Sequence, residues 1–152
     1  MKTMIQTAPA IVASLLALTA CSDSLDRPIH FELPRDYTGP FVLIEQSNTP
    51  KAFTKQADAY RIVIPASGVL RFSDGWVLRR WHGVRASYFG GASIPVPTDS
   101  GFGFHSGSTS TSDNSTYYNW FFVGDYSAAQ EFFNGRDHIE RQTDWLNHHG
   151  AK

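Results

Sequence analysis

Apolar and polar positions along this chain fall into three regimes. Ala8 to Ala20 is almost wholly apolar or small, with Ile11, Val12, Leu15, Leu16 and Leu18 at its centre. From Phe31 to Val123 the apolar residues come in short β-branched and aromatic runs separated by Gly and Pro, which is the pattern of short strands joined by turns. After Ser127 the period lengthens towards that of a helix.

Within the middle regime, Tyr37-Thr38-Gly39-Pro40 is a turn signal that opens the strand Phe41–Gln46. Thr49 to Asp58 is polar and reads as loop. Tyr60–Ile64 alternates and predicts a strand. Pro65-Ala66-Ser67-Gly68 is a turn, with Pro presetting φ and Gly supplying a left-handed residue, so Val69–Phe72 is read as the return strand of a hairpin. A second hairpin is expected from Trp76–Trp81 and Val84–Phe89 across His82-Gly83, ended by Gly90-Gly91. Ile94-Pro95-Val96-Pro97 is extended and excluded from a sheet centre, because Pro donates no ladder hydrogen bond. Thr98 to Thr116 is rich in Gly, Ser and Thr and is expected to be a long mobile loop. Tyr117–Val123 has apolar residues on both alternating faces, which predicts a central strand covered on both sides.

The C-terminal segment opens with Ser127-Ala128-Ala129-Gln130, a capping-box spacing, and Gly135 is placed to stop the helix. A second helical stretch is expected from Asp137 through Leu146, with Ile139, Gln142, Trp145 and Leu146 forming a stripe that docks on the sheet. Together these elements predict a mainly β (α+β) chain: an antiparallel β-sandwich or open barrel with a C-terminal helical segment.

The apolar run near the N-terminus changes the picture from fold to location. It is about 13 residues long, too short to cross ~30 Å of hydrocarbon as a helix. Met1-Lys2 before it gives a short positive region, so the whole has the make-up of a secretory leader. It ends in Leu18-Thr19-Ala20-Cys21, which resembles the lipobox of bacterial lipoproteins. That resemblance implies acylation of Cys21, cleavage just before it, and a membrane anchor. Cys21 is the single cysteine of the 152 residues, and a lone cysteine in an exported chain calls for such a use. The expected organisation is a signal peptide over 1–20, a lipidated tether over 21–28 and one β-rich domain over 29–152. Ser22, where an inner-membrane lipoprotein of Gram-negative bacteria commonly has Asp, implies the outer membrane, with the domain facing the periplasm. The tether is short enough to keep the domain close to the membrane surface.

A further resemblance lies in Pro34-x-x-Tyr37-x-Gly39 followed by Tyr60-x-Ile62-x-Ile64-Pro65-x-x-Gly68. This order resembles small bacterial lipoproteins of uncharacterised function, and it is similar to transthyretin-like or carboxypeptidase-regulatory-type sandwiches. Its motifs are turn motifs, so it bears on fold and brings no catalytic residue.

Charge and motifs narrow the function classes. The net charge is −1, which lacks the basic excess of a nucleic-acid binder. The six histidines, His30, His82, His105, His138, His148 and His149, show no zinc-type spacing, so no metal site and no cofactor are expected. No Gly-x-Ser-x-Gly elbow is present, and Gly101-x-Gly103 lacks the Lys and helix of a phosphate loop.

The candidate contact site is Arg79, Arg80 and Arg85 with Trp81. On the expected hairpin Arg80 stands opposite Arg85, an unfavourable pairing that an anion, a lipid phosphate or an acidic partner would relieve. Trp81 adds a cation–π face. The aromatics Trp76, Trp81, Tyr88, Phe89, Tyr117, Tyr118 and Trp120 are read mainly as core, with a sugar-stacking platform as the alternative. The sequence therefore leans towards a non-enzymatic binding or assembly module on the membrane, with an envelope protein or glycan as partner. The alternatives are a small periplasmic hydrolase of cell-wall or glycan substrates, and an inhibitor or immunity lipoprotein that uses Thr98–Thr116.

Overall fold

The computed structural model describes residues 26–80, 82–97, 101–111 and 116–150. Residues 1–25, which include the expected leader and Cys21, lie outside these residues, as do Trp81, 98–100, 112–115 and 151–152.

Among the described residues, nine strands and two α-helices follow in chain order: β1 Ile29–Leu33, β2 Gly39–Glu45, β3 Thr54–Lys55, β4 Tyr60–Val63, β5 Val69–Phe72, β6 Val84–Tyr88, β7 Ser93–Ile94, β8 Phe102–Thr111, β9 Tyr117–Asp125, α1 Tyr126–Asn134 and α2 His138–His149. They form a five-stranded sheet, β3-β4-β1-β6-β7, and a four-stranded sheet, β5-β2-β9-β8. The fold is thus a β-sandwich with a helical segment. Both sheets are mixed: β4 and β6 run parallel to β1, and β5 runs parallel to β2.

Period-2 alternation explains the layers. On β1, Ile29, Phe31 and Leu33 are fully buried. They meet Phe41, Leu43, Phe72, Phe104, Phe121 and Val123 of the other sheet in one core. Aromatic rings fill its centre; Phe31 lies 5.0 Å from both Phe104 and Phe121. The second face of the four-stranded sheet carries Val42, Ile44, Trp120 and Phe122, and it packs on Ala129, Phe132 and Phe133 of α1, with Trp145 and Leu146 of α2 at the margin. β9 is therefore an interior strand covered on both sides, as its doubly apolar sequence predicts.

Both expected hairpins are absent. Pro65–Gly68 does form its turn, with Gly68 at φ 72° and its N–H donating to Pro65 O at 2.9 Å. The turn carries the chain across from one sheet to the other, so β4 and β5 face each other through the core instead of pairing edge to edge. Alternation and turn chemistry are the same for both outcomes, which is why the local pattern does not separate them.

The segment read as Trp76–Trp81 winds instead. Asp74 accepts N–H bonds from Ala52 and Phe53 at 3.0 and 3.2 Å, and Gly75–Val77 forms a 3₁₀ turn behind it. Gly75 lies so close to Glu45 that an added Cβ would fall 2.1 Å from its carboxylate. The partner of β6 is β1, in parallel, with Ile29 opposite Val84, and Arg80 does not stand opposite Arg85.

The Gly/Ser/Thr segment also departs from the long loop expected of it. Phe102–Thr111 is a strand paired with β9 and bulged between Ser106 and Thr109. Its small residues serve close packing: a Cβ on Gly103 would lie 2.4 Å from the Pro97 ring, and one on Gly107 would lie 2.3 Å from the Phe133 ring. The neighbours' rings supply the apolar mass that the strand itself lacks.

At the C-terminus, α1 ends at Asn134 before Gly135. Its N-cap is Asp125, two residues earlier than expected, and Ser127 lies within the helix, so the capping box is not formed. In α2, Gln142 is buried and Trp145 and Leu146 are half-buried, but Ile139 is 69% exposed, so the docking stripe is shorter than expected.

Candidate functional site

The four-stranded sheet is covered on both faces, whereas the five-stranded sheet packs one face on the core. The residues that alternate with Ile29, Phe31 and Leu33 on β1 are His30 and Glu32, and they mark the other face. Strand register sets the neighbours. One row across this face runs Thr54, Arg61, His30, Arg85; the next runs Val63, Glu32, Ser87, Ser93.

These rows are knitted diagonally. His30 Nε2 lies 2.9 Å from Ser87 Oγ. Arg61 donates Nε to Glu32 Oε1 at 2.7 Å and Nη2 to Oε2, a two-pronged pairing. The Arg61 hydrogen bond holds the Glu32 carboxyl below its ordinary range, against a smaller opposing effect of burial. The same bond raises the Arg61 guanidinium further. Glu32 is thus a fixed anion.

A groove of about 530 Å³ opens beside this cluster. Its lining includes His30, Glu32, Arg85, Ser87, Tyr88 and Val96, and its far wall is the β6–β7 hairpin with Gly90 and Gly91 at the bend. Both glycines have positive φ, 98° and 92°, so the tight return that walls the groove depends on them. Chemically, the arrangement offers a hydroxyl with an imidazole in general-base range. Glu32, the carboxylate on the same strand, gives both oxygens to Arg61. The groove also offers a fixed anion, the Arg85 guanidinium and apolar surface from Val96. Among the described residues no group of three His, Cys, Asp or Glu side chains is placed to hold a metal ion.

The arginines singled out from the sequence are dispersed. Arg79 pairs with Glu45 and lies 5.6 Å from the Tyr117 ring centre. Arg80 lies over Trp76 at 5.4 Å. Arg85 reaches Asp58 at 3.4 Å and is the member of the three that lines the groove. Of the aromatic set, Trp120 is buried, while Trp76 and Phe89 are more than two-fifths exposed. His105 is buried in β8, with its ring nitrogen 2.9 Å from Gly124 O.

Sequence reasoning missed His30, Glu32, Arg61 and Ser87. The available signal was the strict alternation Ile29-His30-Phe31-Glu32-Leu33, which sets a histidine and a carboxylate on one solvent-facing side. Ser87 and Arg61 join them only through parallel strand pairing, from 57 and 29 residues away in sequence.

No protein-family model and no curated protein matches the chain. Among solved structures, a candidate lipoprotein of Bacillus anthracis overlays 82% of this chain and 97% of its own, with a TM-score of 0.45 and 15% identity.

Proposed function

We propose that this is a lipid-anchored envelope protein whose β-domain is a non-enzymatic binding or assembly module, working through the open face of the five-stranded sheet. The anchor reading comes from the leader and the Leu18–Cys21 lipobox. Two or more acyl chains suffice for stable membrane attachment. Ser22 favours the outer membrane, with the domain on the periplasmic side.

One observation carries the role of the domain. The open face holds a groove whose volume, about 530 Å³, lies in the usual range of small-ligand pockets, and His30, Ser87 and Glu32 in its lining are already paired. A glycan or a segment of an envelope protein fits that mixture of fixed anion, guanidinium and apolar rim.

The test is photo-crosslinking in living cells, with the reactive side chain placed at Ser93 or Val96 on the groove rim and, as a control, at exposed Asn147 on α2. One reproducible adduct from the rim sites and none from the control supports the reading. Equal adducts, or none from the rim, overturn it. Labelled palmitate incorporated by the native chain and lost in Cys21→Ser tests the anchor separately.

A second reading, a small hydrolase of acyl groups on cell-wall or glycan substrates, is favoured by the 2.9 Å His30–Ser87 contact inside the groove. A fluorophosphonate probe that labels the native chain and not Ser87→Ala would support it. No labelling at Ser87 would leave the binding module as the account of the groove.

A further inference from the structure

The tether meets the fold at one end of the five-stranded sheet. β1 begins at Ile29, and because β4 and β6 run parallel to it, all three strands start at the same end, with Tyr60, Ile29 and Val84 in register. The loops leading into β4 and β6 therefore converge beside Pro28. Ile29 N–H donates to Gly83 O at 2.8 Å, and Tyr60 N–H donates to Pro28 O at 2.9 Å. The Arg27 guanidinium donates to Gln56 O.

Asp26, the first described residue, is tied into the same end. Its carboxylate accepts from the Tyr60 hydroxyl at 3.0 Å and from Lys55 Nζ at 3.2 Å. The Tyr60 ring in turn meets the Trp76 ring edge-on at 6.2 Å, and Arg80 lies over Trp76. Five peptide units separate Cys21 from Asp26, and at ~3.5 Å each they span at most about 18 Å. An acylated Cys21 therefore keeps this end within about 18 Å of the bilayer.

The composition of that end suits the position. Trp76 is 44% exposed. Arg80 lies over it, and the same end carries Arg27 and Lys55, both paired with Asp26, and Arg85, paired with Asp58. With Arg79 and the carboxylates Glu45 and Asp74 beside Gly75 counted, the local balance is slightly basic in a chain whose overall charge is slightly negative. Tryptophan with basic side chains is the combination that settles at the bilayer interface, the ring at headgroup depth and the cations on anionic phosphates.

We propose that the tethered end of the five-stranded sheet seats on the anionic phospholipid headgroups of the membrane that holds Cys21, with Trp76 and Arg80 as its principal contacts. The sheet then stands on the membrane and its grooved face looks sideways, open to a partner in the space beside the bilayer. The proposal rests on lipidation at Cys21.

The experiment uses the mature, acylated protein purified from membranes and reconstituted in vesicles of phosphatidylcholine with brominated phosphatidylglycerol, a lipid-borne quencher of tryptophan fluorescence. Intact mass of the same sample reports the acyl chains, so failure of the anchor reading is seen independently as an unmodified Cys21. On the acylated chain, quenching is expected to fall sharply in Trp76→Phe, although the other tryptophans remain. Arg80→Glu, at an exposed position, is expected to lower the seated-to-free ratio about fivefold for the loss of the cation alone. Quenching unchanged in both variants would overturn the proposal while leaving the lipid anchor standing.

Discussion

The Tyr37 hydroxyl occupies the space in which a side chain at position 68 would begin: a Cβ built on Gly68 falls 2.2 Å from it. The same hydroxyl donates to Pro40 O at 2.6 Å, so it cannot swing away without losing that bond. Gly68 is also left-handed, at φ 72°. Gly68→Ala therefore combines backbone strain with a clash, and we expect a loss of about 2 kcal/mol in urea unfolding. A loss below about 0.5 kcal/mol, within the range of ordinary surface changes, would mean that the arch between the sheets is not fixed by this contact.

Burial of Tyr37 pushes its phenol up to about 12. The unfolded phenol titrates near pH 10. Because the folded value is raised, the stabilisation is fully present below about pH 10 and is lost as pH rises through about 12. Tyr37→Phe removes both the donor and the titration. We expect it to cost about 1 kcal/mol at neutral pH from the lost Pro40 bond. The margin between native and variant should then shrink between pH 10 and pH 12. A margin that stays constant across that window would show that Tyr37 does not set the alkaline limit.

How much of this was legible from the sequence differs from element to element, for physical reasons. Tyr117–Val123 announced its central place because both of its faces are apolar, and burial on two sides leaves no other arrangement. The Pro65–Gly68 turn was legible as a turn, but a hairpin and an arch between sheets use the same residues. Phe102–Thr111 was not legible as a strand, since its partners' rings, those of Pro97 and Phe133, sit where side chains would otherwise be. The cluster of His30, Glu32, Arg61 and Ser87 depends on parallel strand register, a long-range choice that local alternation does not encode. The arginine cluster rested on a hairpin that does not form, and its members went to Glu45, Trp76 and Asp58.

The Glu32–Arg61 pair should set an acid limit. Its hydrogen bonds hold the folded carboxyl below the ordinary range. A depressed folded value gives stability that is present above the unfolded pKa, near 4.3, and is lost as pH falls through the folded one. Glu32→Gln keeps the shape and removes the charge. For a two-pronged pair at a partly exposed site we expect a loss of about 1 kcal/mol at pH 7. Native and variant should converge below about pH 4 as the native carboxyl protonates. Equal stability at pH 7 would show that desolvation of the pair offsets its attraction.

Gly107 and Phe133 offer the sharpest test of how β8 is held. A Cβ at Gly107 would meet three atoms of the Phe133 ring between 2.3 and 2.7 Å, and the ring is itself 7% exposed, packed on Phe122 and Phe132. Gly107→Ala must therefore displace a ring that is closely surrounded, and we expect a cost of about 2 kcal/mol. Phe133→Ala alone should cost about 3 kcal/mol or more through the cavity it leaves. If the glycine is required by the ring, the double variant is less destabilised than the sum of the two, with a coupling of about 1 kcal/mol or more. Strict additivity would place the need for Gly107 in the strand's own backbone, at the bulge between Ser106 and Thr109, and not in its contact with α1.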